Sequence, residues 1–223
     1  MRKAIVLGLL CLPAFSHADI YRYAEFFASQ TGIPGSMTGQ IVVSPTQTVG
    51  ISYSGNVVAE SQINDTGTYY YTGYNGGPSY YTNAVVQNAP SRTDIIALSG
   101  QTTNVITNTI TFSAPVKNPI MDIVSLGSPA QLSHYDFSTP FTILSQGPGY
   151  WGSGSMWTND NLRLYGMEGS GVIMFSGTYT SISFTASPFE YWSGFTVGVV
   201  PEPSSMLAIG LGGALLLRRR KRA

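Results

Sequence analysis

Between Asp19 and Val200 the chain offers no long stretch with helical period. It is a succession of short apolar runs rich in Thr, Ser, Tyr, Val and Ile, each broken within a few residues by Gly, Pro or Asn. "GQIVVS", "VGISYSGNVV", "NAVVQN", "DIIALSG", "NVITNTITFSAPV", "NPIMDIVSLGSP", "QLSHYDFS", "FTIL", "NLRLYG", "GVIMFSG", "SISFTA" and "GFTVGVV" all have strand composition and strand length. So many short strands at close spacing predict an all-β body, a β-sandwich or jelly roll, with little helix.

Side-chain parity adds detail. In "GVIMFSGTYTSISFTA", Ile173, Phe175 and Tyr179 share one parity and Ile182 and Phe184 the other. Strand side chains alternate with period two, so the inward face must switch through a bulge or turn, placed here at Thr180-Ser181. In "EYWSGFTVGVV", Phe195, Val197 and Val199 fall on one face of a final strand that runs directly into the C-terminal tail.

The N-terminus reads as an export signal. "MRKAIVLGLLCLPAFSHADI" carries Arg2 and Lys3, an apolar run from Ala4 to Phe15, then Ser16-His17-Ala18. Small residues at Ser16 and Ala18 fit a signal peptidase, so cleavage is expected between Ala18 and Asp19, with residues 1–18 the signal peptide. Cys11, the one cysteine, leaves with it, and Leu10 before it is too bulky for a lipoprotein signal. The mature body has no thiol for a disulfide, a Cys-zinc site or a cysteine nucleophile. Residues 19–200 are long enough to build an ordinary hydrophobic core without such staples.

The tail, "VPEPSSMLAIGLGGALLLRRRKRA", is a second membrane signal. No residue from Ser204 to Leu217 is charged, and a helix of that length covers roughly 21 Å. Snorkelling of Arg218 and local thinning would fit it to a hydrocarbon core of about 30 Å. Arg218, Arg219, Arg220, Lys221 and Arg222 would hold the end in the cytoplasm, leaving the body outside the inner membrane. Pro201-Glu202-Pro203, the apolar run and the basic end together resemble the PEP-CTERM sorting signal of Gram-negative bacteria, which membrane proteases called exosortases recognise. The resemblance covers residues 201–223. It implies transient anchoring by a short transmembrane helix, processing by an exosortase-type protease, and release to the cell surface or extracellular polymer. The two prolines favour an extended, accessible segment just outside the membrane.

Charge limits the partners of the body. The whole chain balances 11 basic against 11 acidic residues, but seven of the cations and Glu202 belong to the two ends. Arg22, Arg92, Lys117 and Arg163 remain against ten carboxylates, a formal charge of −6. Such a body has no electrostatic footprint for nucleic acid.

Catalytic chemistry is sparse. His134 is the only histidine left after cleavage, in "QLSHYDF", without the context of a serine triad or a zinc site. Glu168, Glu190 and Asp136 are the carboxylates from which a glycosidase pair would be drawn, and that reaction needs two of them held roughly 5–10 Å apart. Asn159, Asp160 and Asn161, or Asn64 and Asp65, offer oxygen ligands for calcium but lack EF-hand spacing, and turns use the same residues. No glycine loop suited to phosphate follows a strand and opens a helix. The expectation is a protein without catalysis or cofactor.

Two aromatic-glycine patches remain. "NDTGTYYYTGYNGGPSYYTN", Asn64 to Asn83, holds six of the 14 tyrosines, and "GPGYWGSGSMW", Gly147 to Trp157, holds two of the three tryptophans. Tyr70, Tyr74, Tyr80, Tyr150, Trp151 and Trp157 are the candidate carbohydrate contacts, since such rings lie flat against sugars and keep a polar edge. The alternative is that these tyrosines pave sheet surfaces and the glycines make turns. The sequence therefore favours a secreted surface or matrix protein associated with exopolysaccharide or biofilm, with a carbohydrate-binding module or lectin as the alternative and a glycoside hydrolase behind it.

Overall fold

The computed structural model describes residues 18–100, 105–152, 154–187 and 191–201. The expected signal peptide, but for Ala18, and the tail from Glu202 onward, with its expected transmembrane helix, lie outside the described residues.

The body is built from two antiparallel sheets. Strands β1 (Arg22–Tyr23), β5 (Ile96–Leu98), β7 (Ile120–Leu126), β9 (Thr142–Gly147), β12 (Gly169–Met174) and β14 (Ser193–Val199) form the first, in the order β1-β14-β7-β12-β9 with β5 also on β14. Strands β2 (Glu25–Gln30), β3 (Gly32–Ser44), β4 (Gln47–Val57), β6 (Thr107–Lys117), β8 (Ser133–Phe137), β10 (Ser155–Trp157), β11 (Arg163–Met167) and β13 (Thr178–Ala186) form the second, in the order β10-β11-β8-β13-β6-β4-β3-β2. Helical structure among the described residues is one 3-10 turn, Tyr74–Gly76. The expected β-sandwich is what the chain forms.

The main core lies between the sheets. Alternate residues of the second sheet, such as Ile51 and Tyr53 on β4, Ile110 and Phe112 on β6, and Ile182 and Phe184 on β13, meet Met121, Ile123, Phe195, Val197 and Val199 of the first. The predicted slip in β13 is present: its register against β6 breaks between Tyr179 and Ser181, opposite the stretch of β6 that contains Pro115. Proline has no N–H for the ladder, so an irregularity there loses least. A buried polar clamp ties this core together, the Asn108 Oδ1 accepting from Tyr53 Oη at 2.7 Å and from the Asn56 N–H at 2.9 Å.

A third layer covers the first sheet. Tyr21, Tyr71, Tyr81, Val86 and Ile95 pack on Ile120, Val124 and Val172, the residues of β7 and β12 that point away from the main core. Most of this cover is the irregular segment 58–95, which includes the tyrosine-rich stretch. Its hydroxyls are satisfied by backbone: Tyr71 Oη donates to the Asp94 carbonyl at 2.9 Å and Tyr81 Oη to the Ile123 carbonyl at 3.1 Å. The Asn88 side chain pairs with both the N–H and the carbonyl of Tyr21, at 2.8 and 3.0 Å, as a strand would.

The layer also explains where the strand reading went astray. "NAVVQN" makes only an isolated bridge, Asp19 to Val86, because the Asn83 Oδ1 takes the N–H groups of Val85 and Val86 and turns the chain. The edge strands β2 and β10 were not anticipated.

Candidate functional site

Four consecutive strand pairs switch sheets at the same end of the sandwich. β7 passes to β8 through residues 127–132, β9 to β10 through 148–154, β11 to β12 at Glu168, and β13 to β14 through 187–192. The pairings Leu126 with Gly169, Gly147 with Ser170, Ser133 with Gly166, and Ser155 with Met167 bring these connections side by side. Loops gathered at one end of a sandwich are where such folds place binding surfaces.

Here they enclose an open cleft of about 340 Å³, lined by Ser125, Gln131, Trp151, Glu168, Tyr191 and Trp192 among others. That volume lies at the small end of ligand sites, roughly 300–1,000 Å³. Its aromatic wall is a continuous ring assembly. Trp151 stacks on Tyr70 at 4.9 Å and 26°, meets Trp192 edge-on at 4.9 Å, and meets Tyr150 edge-on at 5.0 Å. Tyr70, from the tyrosine-rich cover, also contacts Tyr150 at 5.1 Å and Trp192 at 5.2 Å, so the third layer props the cleft from behind. Trp151 remains 46% exposed and Tyr191 82% exposed, which leaves part of each side chain open to a ligand.

The polar side is held by two strained residues. Ser125 and Glu168 both have positive φ, +56° and +58°. A non-glycine residue there is disfavoured by roughly 1–2 kcal/mol, and such outliers concentrate at functional sites. The two face one another, Ser125 Oγ donating to Glu168 Oε1, while the Ser125 N–H donates to Ser170 Oγ at 3.1 Å. Gly154 lets the connection before β10 pack directly on the Glu168 backbone: a Cβ there would sit 2.1 Å from the Glu168 carbonyl oxygen.

Of the six candidate sugar contacts, the fold gathers Tyr70, Tyr150 and Trp151 into the cluster. Tyr74 borders it, its ring lying 3.7 Å from where a Cβ on Gly152 would be, and Tyr80 lies flat over Gly147. Trp157 is elsewhere, stacked on Tyr165 at 5.5 Å and 13° on the outer face of the second sheet. Sequence reasoning did not single out Tyr191 and Trp192. Their signal was the same aromatic-glycine composition, in "EYWSG", absorbed there into the final strand.

The other candidates have structural occupations. Asp136 takes Arg163 through both oxygens, the Nη2 contact being 2.9 Å, with His134 Nε2 at 3.5 Å, all on the outer face near Trp157. Burial lowers the His134 pKa below its ordinary value, against the pull of Asp136. Asp160 Oδ1 accepts the N–H groups of Leu162 and Arg163, each at 2.9 Å, closing the turn that holds Asn159 and Asn161. Asn64 and Asp65 form a turn at positive φ, and Asp65 is tied to the Thr93 N–H and to Arg92. Glu190 lies outside the described residues.

The tail leaves from the opposite end. β14 begins just after Trp192 and ends at Val199, which pairs with Arg22 of β1, so the first and last strands of the body meet side by side at that end. Pro201 is the last described residue; Glu202, Pro203, Arg218, Arg219 and Arg220 lie outside. Among the described residues no helix is long and apolar enough to cross a membrane. No curated protein and no solved structure matches the chain. Residues 199–222 match the PEP-CTERM protein-sorting motif. The chain thus carries a PEP-CTERM sorting signal, which indicates export and targeting to an exosortase for the cell surface or beyond, and its likeness to PEP-CTERM proteins is confined to that C-terminal signal.

Proposed function

We propose that the body is a noncatalytic glycan-binding protein of the cell surface or extracellular matrix, with exopolysaccharide as its partner. The observation that carries this reading is the cleft of loops in which Trp151, Trp192 and Tyr191 present partly exposed rings beside Ser125, Gln131 and Glu168. Flat apolar faces suit the C–H faces of sugars, and hydroxyl, amide and carboxylate groups suit their rims. The sorting motif supports the place of action. Asp136 is engaged by Arg163 and His134 on the outer face of the second sheet, which favours binding over a reaction shared with Glu168.

The test is a polysaccharide-binding screen on the purified body, residues 19–200, read by tryptophan fluorescence. Binding is expected, with Trp151→Ala reducing affinity at least about tenfold, equivalent to roughly 1.4 kcal/mol, and Trp157→Ala leaving it unchanged. Loss of binding in the Trp157 variant but not the Trp151 variant would move the site to the outer sheet face. Release of reducing ends from a bound glycan would replace binding with hydrolysis.

A further inference from the structure

Resting on that reading, we propose that the glycan is cationic: a hexosamine polymer bearing free amines, whose ammonium group sits on Glu168 between the aromatic walls.

The charge pattern is the first ground. Among the described residues the ion pairs join Arg92 to Glu25 and Asp65, and Asp136 to His134 and Arg163, which leaves Glu168 without a cation. None of the four cations of the body lines the cleft. A carboxylate with no cation nearby, in a cleft whose neighbouring walls are indole and phenol, matches a positive ligand, because the negative ring faces attract cations as well. An acidic polysaccharide would meet repulsion from Glu168 and from a body of formal charge −6.

Backbone geometry is the second. Asn or Gly would adopt the positive φ of residues 125 and 168 more readily than Ser or Glu. The chain instead places a hydroxyl and a carboxylate there, joined by a hydrogen bond that fixes the carboxylate's orientation in the cleft. A simple turn has no use for that pairing.

Size and shape set the ligand class. The cleft is open and small, about 340 Å³, with Trp151 and Tyr191 exposed in its lining, a volume suited to seating one residue of a longer sugar chain. Aromatic faces would take the rings, Glu168 the amine, and Ser128 and Gln131 the hydroxyls.

The decisive experiment compares two probes differing only in acetylation, an N-acetylglucosamine oligomer and its fully de-N-acetylated counterpart, with choline as a third. Titrated against residues 19–200 below neutral pH, the de-N-acetylated oligomer should bind at least about tenfold tighter, and the advantage should shrink with added salt. Glu168→Gln keeps the shape and the Ser125 contact; it should erase the preference while thermal melting stays unchanged. Equal binding of both oligomers, with Trp151→Ala weakening both, would overturn the cationic assignment and leave glycan binding standing. Binding of choline with neither oligomer bound would overturn the glycan reading itself.

Discussion

The two sheets treat their outer faces in opposite ways. On the first, β7 and β14 are buried at every residue, because the tyrosine-rich segment lies over the side that the main core does not use. On the second, β4 and β6 alternate buried with exposed, and the outward positions form rows of hydroxyls such as Thr38, Ser52, Thr111 and Ser181, joined strand to strand by register. The sequence of each strand carries this difference. "IMDIVSL" is nearly continuous in apolar residues, whereas "GISYS" alternates, as expected for strands covered on two faces and on one. An irregular segment can therefore serve as a structural layer when its aromatic rings find a sheet and its hydroxyls find carbonyls.

The contrast can be broken most forcefully from the covered side. Tyr71→Ala or Tyr81→Ala empties an aromatic volume from the outer core, and each should destabilise the body by about 3–5 kcal/mol in urea unfolding. A loss under about 1 kcal/mol would show that the segment merely rests on the sheet.

A smaller effect should come from Asp122, which β7 places in that outer core, fully buried. Burial pushes its carboxyl well above the usual carboxylate range, outweighing the Tyr23 hydroxyl, which pulls the other way. The folded state thus holds the proton more tightly than the unfolded chain. Its stabilising contribution is complete below the ordinary value of about 3.9 and drains away as pH rises toward the folded value, by up to about 1.4 kcal/mol per pH unit. Asp122→Asn should flatten that decline, so the difference in melting temperature between variant and wild type should grow with pH. A difference independent of pH would mean that Asp122 does not titrate in this window.

The smallest effect belongs to the bare face. Ser52→Ala and Thr111→Ala should each change stability by no more than about 0.5 kcal/mol. A larger loss would show that the hydroxyl rows support the sheet.

Much of the sandwich was legible because period-two alternation survives wherever a strand has one wet face. The bulge near Thr180-Ser181 could be placed from parity alone, and Phe195, Val197 and Val199 do share the main core. The cover was not legible as such. Nothing in the spacing of Tyr69, Tyr70 and Tyr71 says that Tyr71 is buried while Tyr70 leans toward Trp151, because a loop has no period to read. The cleft was half legible for the same reason: Tyr150 and Trp151 stood out by composition, whereas Trp192 reaches them only through the order in which strands cross between sheets.

β14 runs from the cleft to the end of the body where the tail leaves, about 23 Å at the usual rise per residue. Were a polymer held beside Trp192 while the tail is still anchored, tension between cell and polymer would load this strand. Its ladders with β7 on one side and with β1 and β5 on the other cross the pulling direction at right angles. Such bonds must shear together and cannot open one by one like a zipper. On the proposed reading a central strand would carry that load, and exosortase processing of the tail would remove it without unravelling the body.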